Sequence, residues 1–388
     1  MYAHLREQPL ARVRPAYGQE AWLATRYADV RQVLSDPRFS LAAAVGRDKP
    51  RTGAEAWDQV GLMSLDPPGH TRLRGLMTKE FSARRIDRLA DRARHLADQL
   101  LDRVVESGPR GDLVGLLAIP LPLTLNCELF GVPSDHSRFR TWLEDTLFGS
   151  TVDELTEQPA TITTHVSELL ALRRGEPGDD LITSLLRAGE RGEVTEDELL
   201  ALVVDLVVAG FVTVAGQITA SLYHLLTRPR LLVRLSEQPE TIPAAVEELL
   251  RYVELLDFTA PRYANEDVEL GGALVRAGEP VLTAPAAANR DPAVFPHADH
   301  LVLDRSGPPH LGFGHGAHFC LGAHLARLEL RVAIETALRR LPGLRLAVPE
   351  DALRWRTGGI ANSLHELPVA FDVTRSRAIR EADRTDGA

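Results

Sequence analysis

The sequence predicts a mainly α-helical protein with small β-sheets, an α+β fold formed by one large domain. Long stretches of the chain repeat apolar residues at intervals of three and four, which is typical of helices that bury one face. Strand-like stretches are few and short, and no internal repeat or long linker divides the 388 residues. Hydrophobic residues make up 44% of the chain, so it can bury a large core.

Four stretches predict the main helices. Residues 83–105 have the apolar stripe of an amphipathic helix, and residues 241–256 and 321–341 predict two more. Residues 196–229 are nearly all apolar in their middle. A helix that is apolar on every side is normally buried, so this stretch is expected to cross the centre of the domain.

Short strands are predicted within residues 20–27, 267–284 and 366–373, where β-forming residues lie between turn signals. The proline-rich joints between elements are too short to separate domains. Residues 1–373 are therefore predicted to form a single domain, and the polar C-terminal tail, 374–388, is predicted to be disordered.

Composition argues against several classes of protein. The formal net charge is −10 with both signs spread along the chain, so no general affinity for nucleic acid is expected. Cys127 and Cys320 are the only cysteines, which excludes a disulfide framework and fits a reducing cytosol. We identify no apolar run of membrane-spanning length and no signal peptide, so a cytoplasmic protein without membrane contact is predicted.

One cysteine lies in a distinctive pattern of glycines and an aromatic residue. Phe313, Gly316, Cys320 and Gly322 form the pattern F-x-x-G-x-x-x-C-x-G, and a helix is predicted to begin just after the cysteine. A sulfur there faces unpaired N–H groups and the positive end of the helix dipole, which favour thiolate over thiol. Glycines allow tight turns, so the loop can hold a sulfur rigidly and aim N–H groups at it, as in thiolate ligation of iron.

Other interpretations of Cys320 stay open from the residues alone. A buried structural cysteine is the commonest fate of a free thiol, and Cys127, within an apolar stretch, fits that description. A catalytic thiol nucleophile would pair with His315 or His318, although no further partner for such a site is evident. A zinc site is disfavoured because no second cysteine lies nearby. The glycine and aromatic spacing favours the iron ligand.

The stretch FGHGAHFCLG, residues 313–322, resembles the haem-binding signature of the cytochrome P450 family and matches it completely. Glu248 and Arg251, in EELLR, resemble the glutamate–arginine pair of that family's K helix. Residues 66–74, DPPGHTRLR, resemble the start of its C helix, and residues 209–213, AGFVT, resemble its oxygen-binding I-helix motif. The resemblance covers nearly the whole chain and is to the soluble bacterial branch.

The resemblance implies a cytochrome P450-like single-domain helical fold with haem buried between the I and L helices. It implies haem b (iron protoporphyrin IX) as the cofactor and the Cys320 thiolate as the iron ligand, a ligation that favours cleavage of the O–O bond. The haem propionates need cationic or donor groups around them. The residues that the resemblance assigns to haem binding are His70, Arg74, Arg262, Phe313, His318, Cys320 and Gly322.

The I-helix motif departs from the family pattern of alanine, glycine, any residue, acid and threonine. The resemblance implies catalytic roles for Gly210, which leaves room for dioxygen in a locally opened helix, and for Thr213, whose hydroxyl hydrogen-bonds to oxygen. Val212 stands at the position of the acid and cannot carry a proton. Protons are then expected through Thr213 with water or a substrate hydroxyl, or else the reaction does not need efficient oxygen insertion.

A structural network is expected around the K-helix pair. Glu248 and Arg251 lie three residues apart, so they can pair on one helix face, and the resemblance implies that the pair is buried. In the family an arginine of a later segment joins it. We identify His300 at the matching place, where a histidine can donate to the glutamate instead. All three residues are expected to be scaffold rather than catalysts.

The resemblance also implies which segments line the substrate pocket. A polar stretch at residues 149–164 is expected to act as a movable lid. Phe211 and Val212 would make the distal wall apolar, with the alternative that Phe211 packs in the core. The predicted pocket residues are Leu62, Val208, Phe211, Val212, Phe258, Thr259, Ile360 and Ala361.

Together these expectations predict a haem-thiolate monooxygenase that hydroxylates or epoxidises a small lipophilic or aromatic molecule in bacterial secondary-metabolite biosynthesis. The sequence contains no flavin or nicotinamide fingerprint, so electrons are expected from a ferredoxin and a ferredoxin reductase. Oxidative C–C or C–O coupling of aromatic groups by the same haem is an alternative. A non-catalytic haem-containing binding protein is an alternative of another class, which Val212 favours and Thr213 disfavours.

Overall fold

Helices make up most of the computed structural model, which describes residues 2–7, 10–51, 60–132, 158–356 and 361–386. The described α-helices are α1 (Tyr2–Leu5), α2 (Tyr27–Ser35), α3 (Gly69–Thr78), α4 (Ala83–Asp87), α5 (Ala90–Glu106), α6 (Pro120–Phe130), α7 (Gln158–Gly175), α8 (Leu181–Glu190), α9 (Glu196–Gly210), α10 (Val212–Leu226), α11 (Pro229–Glu237), α12 (Ile242–Tyr252), α13 (Pro285–Ala288), α14 (Ala323–Arg340) and α15 (Val373–Asp386). The described β-strands are β1 (Ala11–Val13), β2 (Ala21–Ala24), β3 (Phe39–Ser40), β4 (Arg110–Asp112), β5 (Arg262–Ala264), β6 (Val268–Leu270), β7 (Ala273–Val275), β8 (Pro280–Thr283), β9 (Arg345–Leu346), β10 (Trp355–Arg356), β11 (Ser363–Leu364) and β12 (Pro368–Ala370).

The strands form small sheets. The largest has the order β1-β2-β8-β5-β3; within it β2 and β8 are parallel, with Trp22 opposite Val281, and the other pairs are antiparallel. The strands β4, β12 and β9 form a three-stranded antiparallel sheet, and two further antiparallel pairs consist of β6 with β7 and β10 with β11. The prediction of a mainly helical fold with small sheets is therefore confirmed.

The centre of the fold is formed by α9 and α10, which follow each other on either side of Phe211. A capping box begins α9, because the Thr195 hydroxyl accepts from the Glu198 N–H and the Glu198 carboxylate accepts from the Thr195 N–H. The helix α14 packs against α5, α10 and α12. Apolar side chains from these helices merge into one large cluster, which is the main core of the domain.

The stretch Glu196–Leu226 is long and apolar enough to cross a membrane, contrary to the expectation from the sequence that no such run exists. However, 61% of its most apolar window is buried inside the protein. Neighbouring helices therefore supply the apolar environment that this composition requires. This placement agrees with the prediction that the stretch is a helix through the centre of the domain.

The polar tail, which the sequence predicts to be disordered, forms the helix α15 as far as the described residues extend. Asp372 caps this helix, because its carboxylate accepts from two backbone N–H groups of the first turn at 3.1 Å. Arg380 pairs with Asp102 and Glu106 of α5, at 3.3 Å and 2.7 Å. These ion pairs join the tail helix to α5, a contact that the tail's own composition does not reveal.

Glu248 and Arg251 of α12 form the buried pair that their spacing predicts, with contacts of 2.7 Å and 2.8 Å. The third member of the network is Arg305, whose Nε donates to both carboxylate oxygens of Glu248 at 3.1 Å and 3.0 Å. His300 contributes its backbone carbonyl, which accepts from both arginines at 3.1 Å. The prediction for the His300 side chain is therefore wrong, because the longer side chain of Arg305, five residues later, reaches the Glu248 carboxylate.

Removal of the third guanidinium is expected to destabilise the fold. Arg305→Ala should lower the free energy of unfolding by about 3 kcal/mol, because it leaves the buried Glu248 carboxylate with less compensation. His300→Ala should cost less than about 1 kcal/mol, because its backbone carbonyl remains in place. Urea unfolding of both variants, followed by circular dichroism, measures the difference. Equal losses in the two variants would contradict the role given to Arg305.

Candidate active site

A cavity of about 590 Å³ lies where α9 and α10 face the loop that precedes α14. Residues of α3 and β5 and of the segment after α12 complete its walls. Most of the lining is apolar, and the polar side chains are few. A concave apolar site with a small number of polar groups is the usual form of a pocket for a small molecule.

The loop before α14 presents Cys320 to this cavity. The Cys320 N–H donates to the Phe313 carbonyl at 2.9 Å and so closes the loop on itself. Gly316 is required in the turn, because its φ of 73° is left-handed and a Cβ would come within 2.5 Å of the Leu34 carbonyl oxygen. The sulfur also accepts from the Gly322 N–H. The backbone therefore fixes the sulfur in the way that the glycine spacing predicts.

The protonation of Cys320 depends on opposing effects. Burial in an apolar environment raises the pKa of its thiol, whereas the Gly322 N–H and the charges of Arg74 and Arg327 lower it. The net shift is upward, so the helix terminus alone does not favour the thiolate as the sequence predicts. A cation bound to the sulfur would favour it, because ligation requires the deprotonated form. This environment fits a metal ligand better than a free nucleophile.

Four basic side chains, here called the basic cluster (His70, Arg74, Arg262 and His318), line the cavity together. The rings of His70 and His318 lie 3.9 Å apart between centroids, and each Nε2 is buried without a hydrogen-bond partner among the described residues. Arg74 and Arg262 donate to backbone carbonyls, at 2.6 Å and 3.4 Å, rather than to carboxylates. Burial lowers the pKa of Arg262 to about 10. Buried donors and cations of this kind fit an anionic group such as the two haem propionates.

A further set of contacts braces the cysteine loop. The Arg327 guanidinium lies 4.6 Å from the centroid of the Phe313 ring and pairs with Glu247 of α12 at 2.6 Å. His310 contacts the same carboxylate at 3.3 Å. Although burial alone would raise the pKa of Glu247, the hydrogen bonds from His310 and Arg327 lower it to about 2. Sequence reasoning missed this brace, because it joins side chains that are far apart in the chain.

The helix through the centre of the domain is interrupted beside the cavity, where α9 ends at Gly210 and α10 begins at Val212. The Thr213 hydroxyl donates to the Ala209 carbonyl at 2.7 Å, and the Asn126 amide donates to the Gly210 carbonyl at 3.2 Å. Side chains thus satisfy carbonyls that a continuous helix would pair with backbone N–H groups. The local opening that the glycine and threonine predict is present, and both residues line the cavity.

The structure separates the predicted pocket residues into three groups. Those that line the cavity are Leu62, Val208, Phe258 and Thr259. Those that do not line it are Phe211, Val212 and Ala361. Those that lie outside the described residues are Ile360 and the predicted lid up to residue 157.

Phe211 illustrates why part of the pocket prediction is wrong. It lies at the interruption between α9 and α10, so it continues the cavity face of neither helix. Its side chain is 1% exposed and meets the Phe130 ring edge to face, with 5.9 Å between centroids. The alternative that Phe211 packs in the core is therefore the one that the structure supports, and Val208 supplies the apolar wall on this helix.

Sequence reasoning missed two acidic residues that line the cavity, Asp205 of α9 and Glu329 of α14. Glu329 is fully buried; one carboxyl oxygen faces the Asn126 amide at 3.5 Å, and the other has no partner among the described residues. Burial raises the pKa of Glu329 well above its usual range, which favours the neutral acid. An acidic residue on the apolar side of a predicted core helix is the signal that would have identified both.

The chain is similar to known proteins over nearly its whole length. The family model described as Cytochrome P450 matches residues 123–342. The mycinamicin IV hydroxylase/epoxidase of Micromonospora griseorubida is 49% identical over 376 residues, covering 95% of this chain and 94% of that protein. The nocardicin C N-oxygenase of Nocardia uniformis subsp. tsuyamanensis is 46% identical with the same coverage. The crystal structure of cytochrome P450mel 107F1 with biaryl coupling reactivity is 40% identical, with a TM-score of 0.89 and coverage of 95% and 96%.

A cavity shared by a fixed cysteine sulfur, an interrupted helix and a basic cluster defines a haem-thiolate site. In agreement with that geometry, the chain belongs to the cytochrome P450 family. It is an O₂-using haem-thiolate monooxygenase of bacterial secondary metabolism, which needs a substrate and redox partners. The family, the fold and the class of activity predicted from the sequence are thereby confirmed.

The raised pKa of Glu329 makes a prediction about stability and pH. As pH rises above 4.5, the unfolded chain releases this proton before the folded protein does, so stability is lost up to the folded-state pKa. The loss approaches about 1.4 kcal/mol per pH unit. The free energy of unfolding of Glu329→Gln, relative to that of the unsubstituted protein, should therefore grow between pH 4.5 and 7 in urea titrations.

A matched control for this prediction is Glu335→Gln, which changes a partly exposed residue of the same helix α14. Its effect on the free energy of unfolding should stay nearly constant with pH. A constant difference for the Glu329 variant as well would contradict the buried, neutral state of that acid.

Proposed function

We propose that the protein uses haem b to hydroxylate or epoxidise a small lipophilic or aromatic molecule in the cytoplasm, with electrons from a ferredoxin and a ferredoxin reductase. The observation that supports this most strongly is a fixed sulfur, that of Cys320, in a cavity whose basic cluster leaves the Nε2 atoms of His70 and His318 buried without a hydrogen-bond partner among the described residues. Cys320 would bind the iron and the basic cluster would bind the propionates. The iron porphyrin supplies the oxidising chemistry when it is bound.

The protein's own groups position and shield that chemistry. Phe313 and Gly322 hold the loop, and the Gly322 N–H moderates the electron donation of the Cys320 sulfur. Leu62, Val208 and the other apolar side chains of the lining would hold the substrate and exclude water from it. The proposed role of the protein is therefore binding, orientation and control of protons.

Thr213 is the residue that we assign to proton handling. Its hydroxyl donates to the Ala209 carbonyl at 2.7 Å, and a change of rotamer would turn it toward the cavity that it lines. Val212, next to it, has no proton to give. We therefore assign the supply of protons to ordered water or to a hydroxyl group of the substrate, with Gly210 leaving the helix open beside Thr213.

The substrate class follows from the lining and from the relatives. An apolar cavity suits a lipophilic molecule. The two relatives described above are named for oxygenation of mycinamicin IV and of nocardicin C. We propose that this chain likewise oxidises a preformed secondary metabolite. Their names as oxygenases also speak against a non-catalytic haem-binding protein.

A second candidate function is oxidative C–C or C–O coupling of aromatic groups. Val212 favours it, because coupling proceeds by hydrogen abstraction and radical joining and does not depend on efficient insertion of oxygen into the substrate. Biaryl coupling is also the reactivity stated for cytochrome P450mel 107F1. Thr213 favours oxygen insertion, so hydroxylation or epoxidation is the first proposal.

The thiolate ligand can be tested directly. Protein loaded with haem should give, after reduction and addition of carbon monoxide, the red-shifted Soret band of thiolate ligation. Cys320→Ser should abolish that band, whereas Cys127→Ala, at the buried cysteine of α6, should keep it. A chain that shows no Soret band, as a thiol hydrolase would, or an unchanged band in Cys320→Ser, would overturn the proposal.

The missing acid can be restored. Val212→Glu should raise the fraction of electrons that reach product and lower peroxide release by about twofold or more, because an acid beside Thr213 donates protons. Val212→Gln, similar in size but without an acidic proton, is the control. Product and peroxide are measured with a substrate identified by its spin shift. Unchanged coupling in Val212→Glu would remove the argument from the missing acid.

A further inference from the structure

Asp205 is a carboxylate in a cavity wall that is otherwise mostly apolar. It lies on α9, about two helical turns before Thr213, and its residue is 5% exposed. A buried charge is costly unless a partner compensates it. Neither haem binding nor proton handling, as proposed above, uses this side chain.

The fold builds a socket for this carboxylate. Its Oδ2 accepts from the Met63 N–H at 3.3 Å, and the Leu62 N–H supplies a second hydrogen bond. Gly61 lies opposite it and leaves room for the carboxylate, because a Cβ there would lie 2.2 Å from Oδ2 and would displace the Asp205 side chain. Met63 and Leu62 belong to a short 3₁₀ turn that lines the cavity. The carboxylate is therefore held in a fixed place at the cavity wall.

The charge of Asp205 has no cationic partner among the described residues. Burial raises the pKa of its carboxyl to about 6, the two N–H groups lower it, and no charged side chain of the described residues contributes. The group is therefore mainly ionised at neutral pH. Since a carboxylate can accept about four hydrogen bonds, two amides leave capacity for another donor.

The basic cluster suits an anionic ligand, whereas Asp205 suits a cationic one. None of the imidazoles and guanidiniums of the cluster is among the groups that shift the pKa of Asp205. The cavity therefore contains two sets of incompletely compensated groups of opposite sign. The positive set is accounted for by the propionates of the proposed haem, whereas the negative one is left for the substrate.

We infer that Asp205 selects substrates that carry a cationic nitrogen, either a protonated amine or a quaternary ammonium group. In the apolar cavity the cation would complete the pairing of the carboxylate, where a charge-assisted contact is strong. The remainder of the substrate would contact the apolar lining. This inference rests on the proposed function and adds to it the charge of the molecule that is oxidised.

The test compares two probes that differ only in charge, a phenylbutyl trimethylammonium ion and its neutral tert-butyl isostere. A quaternary nitrogen neither titrates nor ligates iron, so the comparison reports the charge alone. Binding to the haem-loaded protein is followed by the ferric spin shift or by displacement of 4-phenylimidazole. The unsubstituted protein should bind the cation at least about tenfold more tightly than the isostere.

Asp205→Asn should remove this preference and leave affinity for the neutral probe nearly unchanged, and Asp205→Glu should retain a preference. Asp197→Asn, at an exposed acid in the first turn of α9, is the matched control and should behave as the unsubstituted protein does. If Asp205→Asn fails to bind haem, the Glu variant and the unsubstituted protein still measure the preference.

Two results would overturn the inference: no preference for the cation in the unsubstituted protein, or equal weakening of both probes in Asp205→Asn. Equal weakening would mean that Asp205 only positions the turn at residues 61–64. The carbon-monoxide spectrum of each variant separates this inference from the proposed function. If the unsubstituted protein gives a normal thiolate spectrum but shows no charge preference, the inference about Asp205 is wrong and the proposed function stands. If the unsubstituted protein gives no thiolate spectrum, the inference and the proposed function are both wrong.

Discussion

The site depends on one constraint, the immobilisation of a sulfur atom by backbone hydrogen bonds. The Cys320 N–H is bonded to the Phe313 carbonyl, and the sulfur accepts from the Gly322 N–H. Because these bonds come from the main chain, the side chains in the loop matter mainly for the turns that they permit, and Gly316 is the clearest case. The helix α14 begins directly afterwards and packs most extensively against α5, α10 and α12. The packing of the helical core therefore helps to hold the sulfur in place.

The same rule of charge compensation separates scaffold from site. Where a buried charge serves structure, the fold gives it a partner of opposite sign, as with Arg251 and Arg305 on Glu248. Around the cavity the described residues leave charges only partly compensated, in the basic cluster and at Asp205. Incomplete compensation of charge therefore marks the parts of the cavity wall that face ligands. Glu329 is a different case, because burial favours its neutral acid form.

The sequence was sufficient for the helices and for the cysteine loop, because periodicity and the glycine pattern are local properties of the chain. It was insufficient where long-range contacts decide. Arg305 and His300 lie in one segment, and only the folded chain shows which side chain reaches the glutamate. Phe211 leaves the cavity because the helix is interrupted there, and α15 is ordered by ion pairs to α5. The proposed role of Asp205 becomes evident only from the turn that packs against its carboxylate and donates hydrogen bonds to it.

The parallel pairing of β2 with β8 has a consequence for how the protein is made. Trp22 lies opposite Val281, so the largest sheet joins a segment near the beginning of the chain to one synthesised much later. During translation the early strands must wait beside an unpaired edge until β8 has left the ribosome, and Cys320 follows only after that. Capture of the proposed haem would thereby be confined to the last stage of biosynthesis, after β8 has become available to close the largest sheet.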